Sequence, residues 1–157
     1  MDPFTLSIGM GLVVALVFAE ILGLAAGGMV VPGYLALFLN SPLAVVLTLL
    51  AALATWGLVG LVSRFAIIYG RRRTALMILV GFVVGASLNY VWSTMLIDLQ
   101  LTENVHLASI SVIGFLVPGL IAIWYDRQGP VQTTSVLMLA AVVVRLLLIT
   151  CGYELQV

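Results

Sequence analysis

Apolar residues run almost without interruption along this chain, and the rare polar positions divide it. From Phe4 to Leu39 the only charged residue is Glu20. As one helix that stretch would be about 54 Å long at 1.5 Å per residue. A bilayer core about 30 Å thick needs only about 20 apolar residues, so the stretch must break. The glycines of Gly23-Leu24-Ala25-Ala26-Gly27-Gly28 and the following Val31-Pro32-Gly33 mark the break, and Asn40-Ser41-Pro42 marks a turn. Spans are then predicted from Leu43 to about Val62, from Ala75 to about Leu96, from about Leu107 to Tyr125 with an interruption at Pro118-Gly119, and from about Val131 to Cys151. The sum is five crossings and one shorter element after Gly28, either a sixth crossing or a re-entrant hairpin. The predicted fold is an all-α, polytopic transmembrane bundle forming one domain over residues 1–157.

Composition agrees. Of 157 residues, 64% are hydrophobic and 8% charged, against about 25% charged in soluble domains. Twelve charges cannot solvate a globular surface of this size, which excludes a soluble enzyme. Six Arg, no Lys and zero net charge give no footprint for nucleic acid. The start, Met1-Asp2-Pro3-Phe4, has no basic region ahead of its apolar run and is read as a retained helix rather than a cleaved signal. Arg71, Arg72 and Arg73 lie beside a span and are expected on the cytoplasmic side. That puts the Asp98–His106 loop and the C-terminus outside and Arg127 inside. The N-terminus is outside if the short element crosses, inside if it is re-entrant.

One box occurs twice. Gly28-Met29-Val30-Val31-Pro32-Gly33-Tyr34-Leu35-Ala36 and Gly114-Phe115-Leu116-Val117-Pro118-Gly119-Leu120-Ile121-Ala122 share G-x-x-V-P-G-x-x-A. The two copies suggest a duplication with pseudo-repeats at about 1–73 and 74–157. Proline removes a backbone donor and clashes with the preceding turn, so each box should break a helix at membrane depth. Such breaks are tolerated only where protein or a water-filled cavity covers them, and paired breaks in two halves point to a midplane site. Helices restarting at Pro32 and Pro118 would aim free N–H groups into the break, an end suited to anions. The plainer reading is a pair of kinks that let neighbouring helices pack.

The isolated ionisable residues are the other candidates. Glu20 and His106 each stand 12 residues before a box proline. Arg145 lies inside the last span, where a charge costs about 2.5–3.5 kcal/mol on insertion scales, so it should snorkel or find an anionic partner. Arg64, Arg71 and Arg72 would share a face if the helix continued past Gly70, and with Arg73 they could equally orient the chain and touch anionic lipid. Ser87 and Asn89 are candidates for interhelical hydrogen bonds. The single cysteine, Cys151, permits no internal disulfide, and one His with one Cys makes a metal centre unfavourable. No nucleophile elbow, zinc-protease motif or phosphate loop is present.

Phe18-Ala19-Glu20, Gly23, Val30-Val31-Pro32-Gly33-Tyr34-Leu35-Ala36-Leu37, Tyr69-Gly70-Arg71-Arg72 and Val117-Pro118-Gly119-Leu120-Ile121-Ala122 together resemble the PgsC/CapC family, the small integral membrane subunit of poly-γ-glutamate synthases. The resemblance covers most of the chain and is least informative after about Arg127. It implies a bacterial plasma-membrane protein acting with a PgsB/CapB-type amide ligase of the Mur-ligase kind and a PgsA/CapA-type anchored subunit. ATP and a divalent metal would belong to the ligase, with no cofactor on this subunit, whose role would be accessory rather than catalytic. On that reading Arg64, Arg71, Arg72 and Arg73 dock the ligase or receive the polymer. Pro32, Gly33, Tyr34, Pro118, Gly119, Glu20 and Arg145 line its path or break the helices. A bundle this small is expected to oligomerise or to sit against a partner.

Two other classes fit the residues. A free-standing secondary transporter or channel for a small anion would use the same breaks and charges. An intramembrane hydrolase would need Glu20 and His106, without a nucleophile–base motif to support it.

Overall fold

A computed structural model describes residues 3–65, 70–98 and 114–151. These form six helices: α1 (Pro3–Leu22), α2 (Val31–Leu37), α3 (Pro42–Phe65), α4 (Arg71–Asp98), α5 (Val117–Gln128) and α6 (Pro130–Thr150). No strand occurs among the described residues. Four helices are long and apolar enough to cross a membrane, over Thr5–Leu22, Pro42–Phe65, Arg71–Val91 and Pro130–Thr150. At 12 residues α5 is about 18 Å long, short of a crossing by itself. The remainder of the span expected from Leu107, with His106, lies outside the described residues.

Helix ends follow local chemistry. Gly23 (φ +63°) takes the left-handed conformation that ends α1. Pro42 and Pro130 each occupy the first position of a long helix, where the missing N–H costs nothing. Gly70 (φ +65°) separates α3 from α4, so Arg64 and Arg71–Arg72 stand on two different helices and do not form the continuous face that unbroken helix would have made.

The helices are built inside out relative to those of a soluble protein. Leu16, Ile21, Leu50, Leu61 and Leu146 point outward, whereas Ala36, Ala44, Ala51, Ala52, Ala140 and Ala141 are fully buried. Where lipid is as apolar as leucine, small residues win the contacts because they let backbones approach. The buried faces of α3 and α6 have one pattern: Ala44, Thr48, Ala51, Ala52, Thr55 and Val59 in α3 repeat the spacing of Thr133, Leu137, Ala140, Ala141, Val144 and Leu148 in α6. Buried hydroxyls turn back on their own helices. Thr48 donates to the Ala44 carbonyl and Thr55 to that of Ala51, both at 2.7 Å, so neither carries an unmet donor.

The chain forms two compact units. The first takes residues 1–40 and 123–157, and the second takes residues 41–122. In the first, α1, α2 and α6 pack together around Val14, Ala26, Ala36, Leu37, Ala140, Val144 and Leu148. In the second, α3 packs on α4.

Two polar clasps show how the segment around α2 lies in its unit. At one end the Ala25 N–H donates to Gln128 Oε1 (3.1 Å), and Gln128 Nε2 donates to the Ala25 carbonyl (3.2 Å). At the other, Arg145 reaches Ala36 and Asn40. Gln128 adjoins the start of α6, and Arg145 lies about 23 Å along that helix. Residues 25–40 therefore advance beside α6 over most of its length.

Candidate functional site

Each Val-Pro-Gly box seats the start of a short helix on the middle of a long one. A Cβ built on Gly11 of α1 would lie 2.5 Å from the Gly33 Cα, and one on Gly33 would lie 2.7 Å from the Ser7 carbonyl oxygen and 3.0 Å from the Ile8 Cα. In the second unit a Cβ on Gly81 of α4 would run into the Gly119 Cα, and one on Gly119 would lie 2.9 Å from both the Ile78 Cα and the Met77 carbonyl oxygen. Ser7, Ile8 and Gly11 thus match Met77, Ile78 and Gly81 in order and spacing. Ser7, fully buried, also donates to the Gly33 carbonyl at 2.9 Å.

This packing changes what the breaks can do. The Tyr34 N–H bonds the Val30 carbonyl, the Val117 N–H bonds that of Gly114, and the Leu120 N–H bonds that of Leu116. Pro32 and Pro118 have no N–H to offer, and a Cβ built on Gly11 or Gly81 would lie 2.6 Å from the Gly33 nitrogen or 2.5 Å from that of Gly119. Neighbouring backbone thus stands close against the start of both short helices. Pro32, Gly33, Pro118 and Gly119 are buried at helix contacts, and half-buried Tyr34 stacks on Phe38 with ring centroids 6.4 Å apart.

Arg145 is held by neutral groups. Its Nη1 donates to the Ala36 carbonyl at 3.3 Å and its Nη2 to Asn40 Oδ1 at 2.7 Å. Ala36 lies in the last turn of α2, where carbonyls lack intrahelical partners and a cation suits the negative end of the helix dipole. Among the described residues Arg145 forms no ion pair. It is a positioned cation whose charge nothing described neutralises.

Four of the other five arginines gather at one end of the α3–α4 pair. Arg64 is exposed in the last turn of α3. Arg71 and Arg72 are exposed and Arg73 half-buried in the first turn of α4. No acidic residue lies between Glu20 and Asp98. Arg64 complements the end of its helix, but the three arginines of α4 sit at a positive helix end, where cations are disfavoured and anions favoured. Side chains and dipole together make this a locus for negative charge.

The remaining candidates disperse. Glu20 is exposed on α1, two residues before its end, with no partner among the described residues. Ser87 donates to the Val83 carbonyl of its own helix at 2.7 Å rather than across helices. Cys151 is exposed. No cluster of metal-ligating side chains occurs among the described residues. Sequence reasoning missed Gly11, Gly81, Asn40 and Gln128. The two glycines carried a signal, because a glycine inside a long helix costs about 1 kcal/mol against alanine and asks for a packing reason.

The family described as "Capsule biosynthesis CapC" matches residues 10–134. The chain is 38% identical over 122 residues to the "PGA biosynthesis protein CapC" of Bacillus subtilis (strain 168), covering 76% of each chain. It is 36% identical over 121 residues to the "Capsule biosynthesis protein CapC" of Bacillus anthracis, again covering 76% of each. No solved structure matches significantly.

Proposed function

The chain belongs to the capsule biosynthesis CapC family, and on that premise we propose that it is the integral membrane subunit of a poly-γ-glutamate synthase. In this reading it holds an ATP-dependent amide ligase at the cytoplasmic face and guides the product outward. The observation that carries the reading is the arginine cluster. Arg71, Arg72 and Arg73 stand in the first turn of α4 with Arg64 beside them at the end of α3. Three cations at a positive helix end weaken the helix locally, and on this reading an anionic group beyond the chain offsets that cost. A polymer bearing about one carboxylate per residue, or an acidic ligase surface, supplies it. Arg145, held at the end of α2, would be a further cation offered to the polymer. Pro32, Gly33, Pro118 and Gly119 would serve as helix breaks that shape the bundle rather than as groups touching polymer.

The arginine cluster inside sets a topology. Arg127 and Gln128 are then inside, α6 runs outward, and residues 25–40 cross in the same direction, leaving the N-terminus outside. We read α1–α3 and α4–α6 as duplicated three-element units inserted in opposite senses, an arrangement common in transporters. The matched glycine contacts and the shared burial pattern of α3 and α6 support it.

Replacing Arg71, Arg72 and Arg73 together with Gln tests the proposal. Polymer yield should fall while membrane insertion is unchanged, and normal yield would remove the docking and entry role. A free-standing small-anion transporter draws on Arg145 alone. Anion flux in liposomes containing only this protein would favour it.

A further inference from the structure

The outer face of α1 carries an unusual sequence of side chains. Thr5, Gly9, Val13, Leu16 and Glu20 fall on one stripe at helical spacing and all are exposed. Near its beginning an open, apolar groove of about 510 Å³ is lined by Thr5, Gly9, Met10 and Val13 of α1 and Leu147 of α6. A Cβ on Gly9 would meet nothing within 4 Å. At the other end of the stripe the Glu20 carboxylate has no partner among the described residues. A carboxylate on a lipid-facing span is costly unless a cation or donor meets it.

The chain presents a cation at that same depth. Gln128 pairs with Ala25, which follows the end of α1 by three residues, so neighbouring Arg127 lies near the level of Glu20. Arg127 is exposed, and its described contact is the face of Trp124, 5.4 Å away. The two charges share a level and do not pair within the chain. The outward face of α6 offers an apolar counterpart. Leu139, 55% exposed, lies about 14 Å along α6 from Pro130, which follows Arg127 across the turn at Gly129, and Gly9 lies about 17 Å along α1 from Glu20. The runs go in the same direction across the unit, because Leu147 borders the groove at Thr5 and Gly9.

We propose that copies of this chain associate side by side through these faces: α1 of one copy receives α6 of the next, with Leu139 entering the groove at Gly9 and Arg127 meeting Glu20. Rotation about an axis normal to the membrane preserves depth, so two levels matched within one chain remain matched between copies. The contact is heterologous and generates a ring if the rotation closes. This gives a face to the self-association expected of so small a bundle, and it does not depend on the identity of the polymer.

Cysteine cross-linking in native membranes tests it. In a Cys151→Ser background, differently tagged copies carrying Gly9→Cys and Leu139→Cys are co-expressed and oxidised. A disulfide-linked heterodimer is expected, well above the level given by Gly9→Cys with Leu53→Cys on α3. Glu20→Arg or Arg127→Glu alone should cut cross-linking by about fivefold, the low end of an interhelical polar contact in a membrane. The double exchange Glu20→Arg/Arg127→Glu should restore it. Cross-linking no greater than the control pair overturns the interface and leaves lipid or another polypeptide in the groove. Cross-linking that the double exchange fails to restore overturns the ion pair. Each single-cysteine chain is checked for normal membrane insertion, so that loss of fold is not read as loss of contact.

Discussion

Gly11 and Gly33 lie so close, α1 against α2, that a methyl group on either would strike the other helix's backbone. Gly81 and Gly119 repeat the relationship between α4 and α5. Because the obstacle is backbone rather than the tip of a flexible side chain, neither site can relax cheaply. Gly33→Ala and Gly119→Ala should each destabilise the protein by about 1–3 kcal/mol, the range for overpacking. Gly57→Ala, with open space around it, should be close to neutral. Thermal unfolding in detergent, followed by loss of monodisperse protein, gives the ranking. Equal behaviour of Gly57→Ala and Gly33→Ala would contradict it.

The proposed reading gives Arg145 two roles, a cap on α2 and a cation for the polymer, and substitutions can separate them. Asn40→Ala removes one of its two described partners and keeps the charge. Hydrogen bonds to charged groups are worth about 1.5–3 kcal/mol, so stability falls and polymer yield should follow the amount of folded protein. Arg145→Met removes the charge as well. Its polymer yield, normalised to folded protein, should drop below that of Asn40→Ala. Indistinguishable normalised yields would reduce Arg145 to a cap on α2.

The clasps at Gln128 and Arg145 lead to a topological expectation. If residues 25–40 cross, Leu24 and Ser41 lie on opposite sides of the membrane. In a Cys151→Ser background, Ser41→Cys should react with an impermeant maleimide added outside, and Leu24→Cys only after permeabilisation. Labelling of both from one side would make the segment re-entrant and place the N-terminus inside.

The long helices were legible because each runs far enough without charge to be recognised by length alone, and because Pro42, Gly70 and Pro130 stand where helices must start or stop. The Val-Pro-Gly boxes were legible as breaks, since proline is rare in this chain. Their orientation was not. Whether a freed N–H faces a cavity or a neighbouring helix depends on which residue of that neighbour lies opposite, and nothing near Gly33 in sequence announces Gly11. Arg145 was visible as a costly charge, but its partners Ala36 and Asn40 lie more than 100 residues away. The described partners are a helix end and an amide, which hold the guanidinium without neutralising it. The exchange of partners, with α6 beside α1 and α2 and α3 beside α4, could not be read from a pattern in which α3 and α6 have the same buried spacing.

The central claim is that this subunit holds an ATP-dependent amide ligase at the membrane through the arginines of α4. Its most direct measurement is purification of the tagged protein in mild detergent from cells that make the polymer, alongside the Arg71→Gln, Arg72→Gln, Arg73→Gln triple variant. The account predicts that an ATP-binding amide ligase co-purifies with the unaltered chain and is depleted from the variant, both proteins being recovered from membranes in equal amount. Ligase recovered equally with both, or with neither, would contradict it.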